Sequence, residues 1–436
     1  MAQINRRVRD LVTNEVGTKV PKTGVEKQLR RLVLANMLFE NQFYMDGESS
    51  ADLIKTLVPA ADPKSVQDLA IEARGKFKLR HVPLLLAREL ARIGKLPHEV
   101  LTNIIQRPDE MGEFVAHYWS EKKQPLSNQV KKGLANCFHK FSEYQLAKWD
   151  KSSAAVKLRD VLFMTHAKPK TAEETALFKR IAENALKTPD TWEVALSGGA
   201  NKRETFERLM SEKKLGALAF LRNLRNMDQA GVPEYLIRAY ANELDVSRVL
   251  PFRFIAAANI VPQYEDMLEH MMFKALKDMP KLPGRTAIVV DVSGSMFGTK
   301  ISAKSDLDRF SAAAALAIMC NELCESAAIY SFSSDAVRVA PRRGFALGEA
   351  ISASQYHGGT QLGKSLRKVF ADGEYDRVIV FTDEQSYDRP ARPVGGSKGY
   401  IINVAAYKNG VNHSDWVSID GFSEAVFDYI CELEKE

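Results

Sequence analysis

Between Met279 and Arg285 the chain reads Met-Pro-Lys-Leu-Pro-Gly-Arg, and this run separates two hydrophobic periodicities that cannot belong to one kind of layer. Upstream, apolar residues recur at helical spacing in segments of modest length: Val82–Ile93, Lys131–Trp149, Ala172–Leu186 and Arg203–Met227. Strand alternation is nearly absent there. Downstream, apolar runs of about five residues alternate with longer helical stretches, the signature of a parallel sheet covered on both faces. The strands expected are Thr286–Asp291, Ala327–Phe332, Arg377–Phe381 and Gly399–Val404. Between the first two, Phe310, Ala313, Ala317, Cys320 and Cys324 step by three and four along a helix. A chain of 436 residues is too long for one ordinary core. The reading is therefore two units, a helical 1–283 and a doubly wound α/β 284–436. On pattern alone the first is either a stacked helical-repeat array of the HEAT-like kind or a large helical bundle.

The charges divide at the same place. The net charge of +6 is the sum of +10 before residue 284 and −4 from there on. A basic helical part points to a polyanionic partner. The lysines and arginines concentrate between Glu121 and Lys170, eleven against four acids, with Phe138, Phe141, Tyr144 and Trp149 interleaved. That combination supplies charge for phosphates and rings for bases, although core packing is the competing role for each ring. Lys131, Lys132 and Lys140 are candidates for RNA contact from charge alone. No apolar run reaches the roughly 18 residues of a membrane span, and the N-terminus, Met-Ala-Gln-Ile-Asn-Arg-Arg, leads into no signal-peptide core. A cytoplasmic protein is expected. Its four cysteines form no CxxC pair, so neither a zinc ribbon nor a thioredoxin-like site is indicated; Cys320 and Cys324 read as small buried hydrophobes.

Open α/β sheets bind ligands at the carboxyl ends of their strands, and oxygen donors collect there. Asp291-Val-Ser293-Gly-Ser295 ends the first strand, Gly358-Gly-Thr360 adds a hydroxyl, and Val378-Ile-Val-Phe-Thr-Asp383 ends another strand in a carboxylate. Two carboxylates and three hydroxyls make a site for a hard cation, Mg²⁺ first, with Mn²⁺ or Ca²⁺ as alternatives, and a poor one for zinc. This order of residues resembles the metal-ion-dependent adhesion site of von Willebrand A domains, over the whole of 284–436. The resemblance implies a Rossmann-like domain that captures a partner and breaks no bond. Gly358-Gly-Thr-Gln-Leu-Gly363-Lys364-Ser365 also fits the P-loop spacing. A P-loop must follow a buried strand, however, and residues 350–357 are polar and closer to a helix end; only 71 residues follow Ser365, and Asp291 to Ser295 would be left unexplained. His357 near the metal residues is the one candidate base, and a loop histidine is more often solvated.

The helical part carries its own likeness. Val156-Lys-Leu-Arg159-Asp-Val-Leu-Phe-Met-Thr-His166-Ala-Lys168-Pro, Thr191-Trp-Glu193, Leu215-Gly-Ala-Leu-Ala-Phe-Leu-Arg222-Asn-Leu-Arg225-Asn-Met227 and Pro251-Phe-Arg-Phe254 are similar to motifs of Ro (TROVE-module) proteins, in the order expected before a von Willebrand A domain. The resemblance implies a monomeric ring of helical hairpins closed through the α/β domain. It implies binding of small structured Y-like RNA on the outer surface, and of the single-stranded ends of misfolded RNA through the hole. It further implies a link through RNA to a 3′ exoribonuclease. Carried over by position, Lys148, Arg159, His166 and Lys168 would face RNA, and Arg222 and Arg225 would line the hole or pack between repeats. The function expected is a non-enzymatic RNA chaperone or scaffold in RNA quality control. The alternatives are a metal-dependent protein-adhesion scaffold and, further off, the P-loop NTPase.

Overall fold

A computed structural model describes residues 11–13, 19–21, 25–35, 47–249, 251–299, 308–383, 386, 388–404, 415–420 and 425–434. Up to Leu276 the described chain is a succession of short helices, apart from an antiparallel pair of three-residue strands, β1 (Leu11–Thr13) and β2 (Lys19–Pro21), too short to announce themselves by alternation. Two of the expected helices are each broken in two. Lys131–Trp149 is Asn128–Cys137 and Glu143–Trp149. Phe141 is extended between them, and Ser142 starts the second helix with a capping box: its hydroxyl accepts from the Gln145 backbone, and its own N–H donates to Gln145 Oε1 at 2.9 Å. Arg203–Met227 is Lys202–Ser211 and Ala217–Gln229. The first of these ends where Lys213 turns left-handed (φ 54°) and the Lys213 and Lys214 amides bond back to Met210 and Leu209. Helical periodicity passes through both breaks because a break without Pro leaves the apolar spacing nearly unchanged.

The second part is a six-stranded sheet in the order β5 (Ala336–Arg338), β4 (Cys324–Phe332), β3 (Leu282–Asp291), β6 (Arg377–Thr382), β7 (Lys398–Asn403), β8 (Val417–Asp420). All pairs are parallel except β4 with β5, an antiparallel edge that the sequence reading lacked along with β8. Along β3 alternate residues serve two cores. Ala287 and Val289 pack with Val378, Val380 and Leu366 on one face; Ile288 and Val290 join the other. On that second face lies the helix Arg309–Leu323, buried all round from Ala312 to Cys320 because helices Phe252–Ala258, Glu265–Leu276 and Phe345–Ser352 pack around it away from the sheet.

The cores do not divide where the elements do. One cluster runs from Leu29 to Ile181 within the early helices. A second joins Phe206, Phe220, Phe254 and Met271 to Ile288, Leu316, Phe381 and Ile430 across residue 283, and the third lies on the opposite face of the sheet. The helix Val25–Ala35 packs on the last described helix, Ala425–Glu434, where Glu432 faces Arg30 at 3.3 Å and Lys76 at 3.6 Å. Among the described residues no helix is long and apolar enough to cross a membrane.

Candidate metal centre and nucleic-acid interface

The chain passes from β3 to β4 on one side and later returns from β5 to β6 on the other, so the order of strands reverses at β3 and a crevice opens at its carboxyl end. Asp291 stands there, fully buried. Its Oδ1 accepts the Ser293 N–H at 2.8 Å and its Oδ2 accepts the Thr382 hydroxyl at 2.6 Å. The Ser293 and Ser295 hydroxyls lie 3.3 Å apart. The loop that carries Thr360 is fixed against them, since Gly294 N–H donates to the Gly358 carbonyl. Thr360 and Asp383 are both buried. The structure therefore gathers Asp291, Ser293 and Ser295 into one hydrogen-bonded turn, ties β6 to it through Thr382, and brings Asp383 to the same edge.

Burial pushes the Asp291 carboxyl up to about 7, with the charge of Asp383 adding to the effect and the bonds from Ser293 and Thr382 opposing it. A desolvated carboxylate among hydroxyls is a set of hard oxygen donors, which fits a hard metal ion. The donors at this edge are two carboxylates and three hydroxyls, and among the described residues no group of three or more His, Cys, Asp or Glu side chains is arranged to bind a metal. A buried arginine also enters the site, which the sequence reading did not foresee. Arg309 Nη1 donates to Asp383 Oδ2 at 2.8 Å and to the Ser295 carbonyl at 3.4 Å. His357, the candidate base, stacks on Phe297 at 4.0 Å and bonds the Ser352 carbonyl through Nε2. The P-loop spacing has helix Phe345–Ser352 before it, not the strand such a loop needs.

On the helical part, Arg159, His166 and Lys168 are exposed on the short helix Leu158–Thr165 and the turn after it. His166 closes that helix in the left-handed conformation (φ 51°), so its backbone caps while its side chain stands in solvent. Phe163, missing from the sequence candidates, is 53% exposed with the Arg159 guanidinium 5.6 Å above its ring. Its four-residue spacing from Arg159 was the available signal. Lys148 is exposed over Tyr144, itself part of the surface. Lys132 is exposed and Lys131 half-buried on helix Asn128–Cys137. Lys140 is committed elsewhere: its ammonium donates to the Thr102 and Ile105 carbonyls and caps helix His98–Ile104. Of the other interleaved rings, Phe138 and Phe141 are core, and Trp149 lies under Arg107 at 3.6 Å. Arg222 and Arg225 are both exposed on helix Ala217–Gln229.

Residues 179–321 match the TROVE domain family model, a stretch that runs from the helices through β3 into the helix beginning at Arg309. Over 89 residues the chain is 36% identical to telomerase protein component 1 of Mus musculus and 35% identical to that of Rattus norvegicus. Each alignment takes in 19% of this chain and 3% of the relative, so the chain spans only a small part of the curated proteins it matches. The fold is similar to that of the crystal structure of the Deinococcus radiodurans RO (RSR) protein, with a TM-score of 0.69 over 93% of this chain and 98% of that one, at 18% identity. What is shown is a stretch similar to the TROVE domain within a chain folded like an RO protein.

Proposed function

We propose that this protein is a non-enzymatic, cytoplasmic RNA-binding scaffold whose helical part forms a ring closed through a von Willebrand A-like domain. Its outer surface holds a small structured, Y-like RNA, its hole takes the ends of misfolded RNA, and the bound RNA tethers a 3′ exoribonuclease. The observation that carries this reading is the exposed row Arg159, Phe163, His166 and Lys168: three groups for phosphates or base edges beside one ring for stacking. The TROVE match and the likeness to an RO protein support it. Asp291, Ser293, Ser295, Thr360 and Asp383 would hold Mg²⁺, which would supply a Lewis-acidic point for an oxygen ligand of a partner.

The test is to purify the protein from its own cell at low salt and sequence the RNA that accompanies it, for wild type and for His166→Ala/Lys168→Ala. One structured small RNA should be enriched and should be lost from the double variant; its affinity should fall as salt rises. No enriched RNA, with a protein partner kept only in the presence of divalent metal, would replace this reading with metal-dependent adhesion.

A further inference from the structure

Arg309 is an unexpected residue for its position. It opens the helix Arg309–Leu323, where the helix dipole presents its positive end, and it is 9% exposed. Both circumstances work against a cation, and a guanidinium is kept in such a place only by a carboxylate that compensates it. The Asp308 carboxylate caps the helix end, accepting the Ser311 N–H at 2.8 Å, and Asp383 answers the guanidinium, 74 positions away in sequence, at 2.8 Å and with its side chain fully buried.

Asp383 is also one of the two carboxylates offered to a metal. With both ionised, Asp291 and Asp383 carry two negative charges, and among the described residues in contact with them Arg309 leaves one. A divalent cation would bring the cluster to one positive charge instead of to neutrality, in surroundings where water screens little. We infer that Arg309 is the resident counter-cation of this site: it neutralises Asp383 while the metal is absent, keeps the metal-free chain folded, and lowers the affinity for the metal that competes for the same carboxylate. This rests on the metal-binding reading above. It makes the site a weak, exchangeable one by construction, because one of its ligands is always partnered.

The experiment uses the full chain and Mn²⁺ as the probe, with free ion counted by its electron paramagnetic resonance signal and stability followed by thermal melting. Arg309→Gln should bind Mn²⁺ about tenfold or more tightly than wild type. It should also melt lower without metal and recover at saturating Mn²⁺. Arg309→Lys, which keeps the charge, should bind like wild type. If wild type binds in a manner abolished by Asp291→Asn, yet Arg309→Gln binds no tighter, the counter-cation role is wrong while the metal site stands. If wild type takes up no more Mn²⁺ than Asp291→Asn, the metal reading fails and this inference with it. Should Arg309→Gln be unfolded without metal, refolding in Mn²⁺ decides: recovery supports the role, and failure to recover overturns it.

Discussion

At Gly112 the helix Asp109–Tyr118 meets the chain that leads into the candidate RNA surface. A Cβ built there would lie 2.2 Å from the Val156 carbonyl oxygen, a backbone atom that cannot swing aside as a side chain would. Two residues on from Val156 the helix Leu158–Thr165 begins, which bears Arg159 and Phe163. Gly112→Ala should therefore force the segment before Arg159 off its support and cost about 1–3 kcal/mol, the usual range for overpacking. Urea unfolding of the variant reads the cost, and RNA retention should weaken in parallel. A midpoint equal to wild type would mean that the segment shifts freely, and that the surface beyond it is not held by this contact. Residue-scale features of this kind were outside the reach of sequence reasoning, because a glycine required by a neighbour's backbone looks the same as a glycine in a loose turn.

Helix His81–Arg92 carries a titratable group at its first position, facing Arg80, Arg107, Arg74 and His117. Burial, then these cations, pull the His81 imidazole down to about 4, and burial lowers His117 as well. The unfolded chain takes up the His81 proton near its ordinary 6.5, whereas the folded chain refuses it until about 4. The helix thus contributes stability that is fully present above pH 6.5 and is lost as the pH falls towards 4. Screening at a partly exposed site reduces the effect to about 1 kcal/mol between pH 7 and pH 5. Denaturant melts of His81→Gln should show that loss removed; an unchanged pH slope would assign the sensitivity to other groups. At this scale much was readable beforehand. Strands with apolar runs were found within a few residues, and Asp291 and Asp383 were found because a strand end followed by an acid is a local pattern. The helix breaks at Phe141 and Lys213 were missed because apolar spacing continues through them. The edge strand β5 and β8 escaped because three or four residues give too little alternation to count. Arg309 escaped for a different reason: a contact between positions 309 and 383 leaves no trace in either neighbourhood.

For the whole molecule, the change of periodicity at 279–285 is real, since β3 begins at Leu282, but the packing continues across it. Glu269 of helix Glu265–Leu276 accepts the Phe345 N–H at 2.7 Å, and so caps a helix of the α/β part; Arg343 lies over Phe273 at 4.2 Å. Ile255 and Ala258 line a cleft of about 350 Å³ with Ala314, Ala315 and Ile318 and with Phe345 and Gly348 of the next helix, and helices Phe252–Ala258 and Glu265–Leu276 cover the part of the apolar face of Arg309–Leu323 that Phe345–Ser352 leaves. Cutting the chain at 284 would expose that face, and each large apolar side chain returned to water costs about 1.5–3 kcal/mol. A fragment of residues 251–436 should therefore melt higher and more cooperatively than one of residues 284–436, and the shorter fragment should bind a hydrophobic dye that the longer one does not. Equal melting of the two would show that the sheet and its own helices suffice, and would make residues 251–276 a docked neighbour. The unequal result would explain why a TROVE match ending at residue 321 reaches past the start of the sheet: most of the buried residues it spans, from Phe206 to Cys320, share a core that crosses residue 283, and its last helix belongs to both parts.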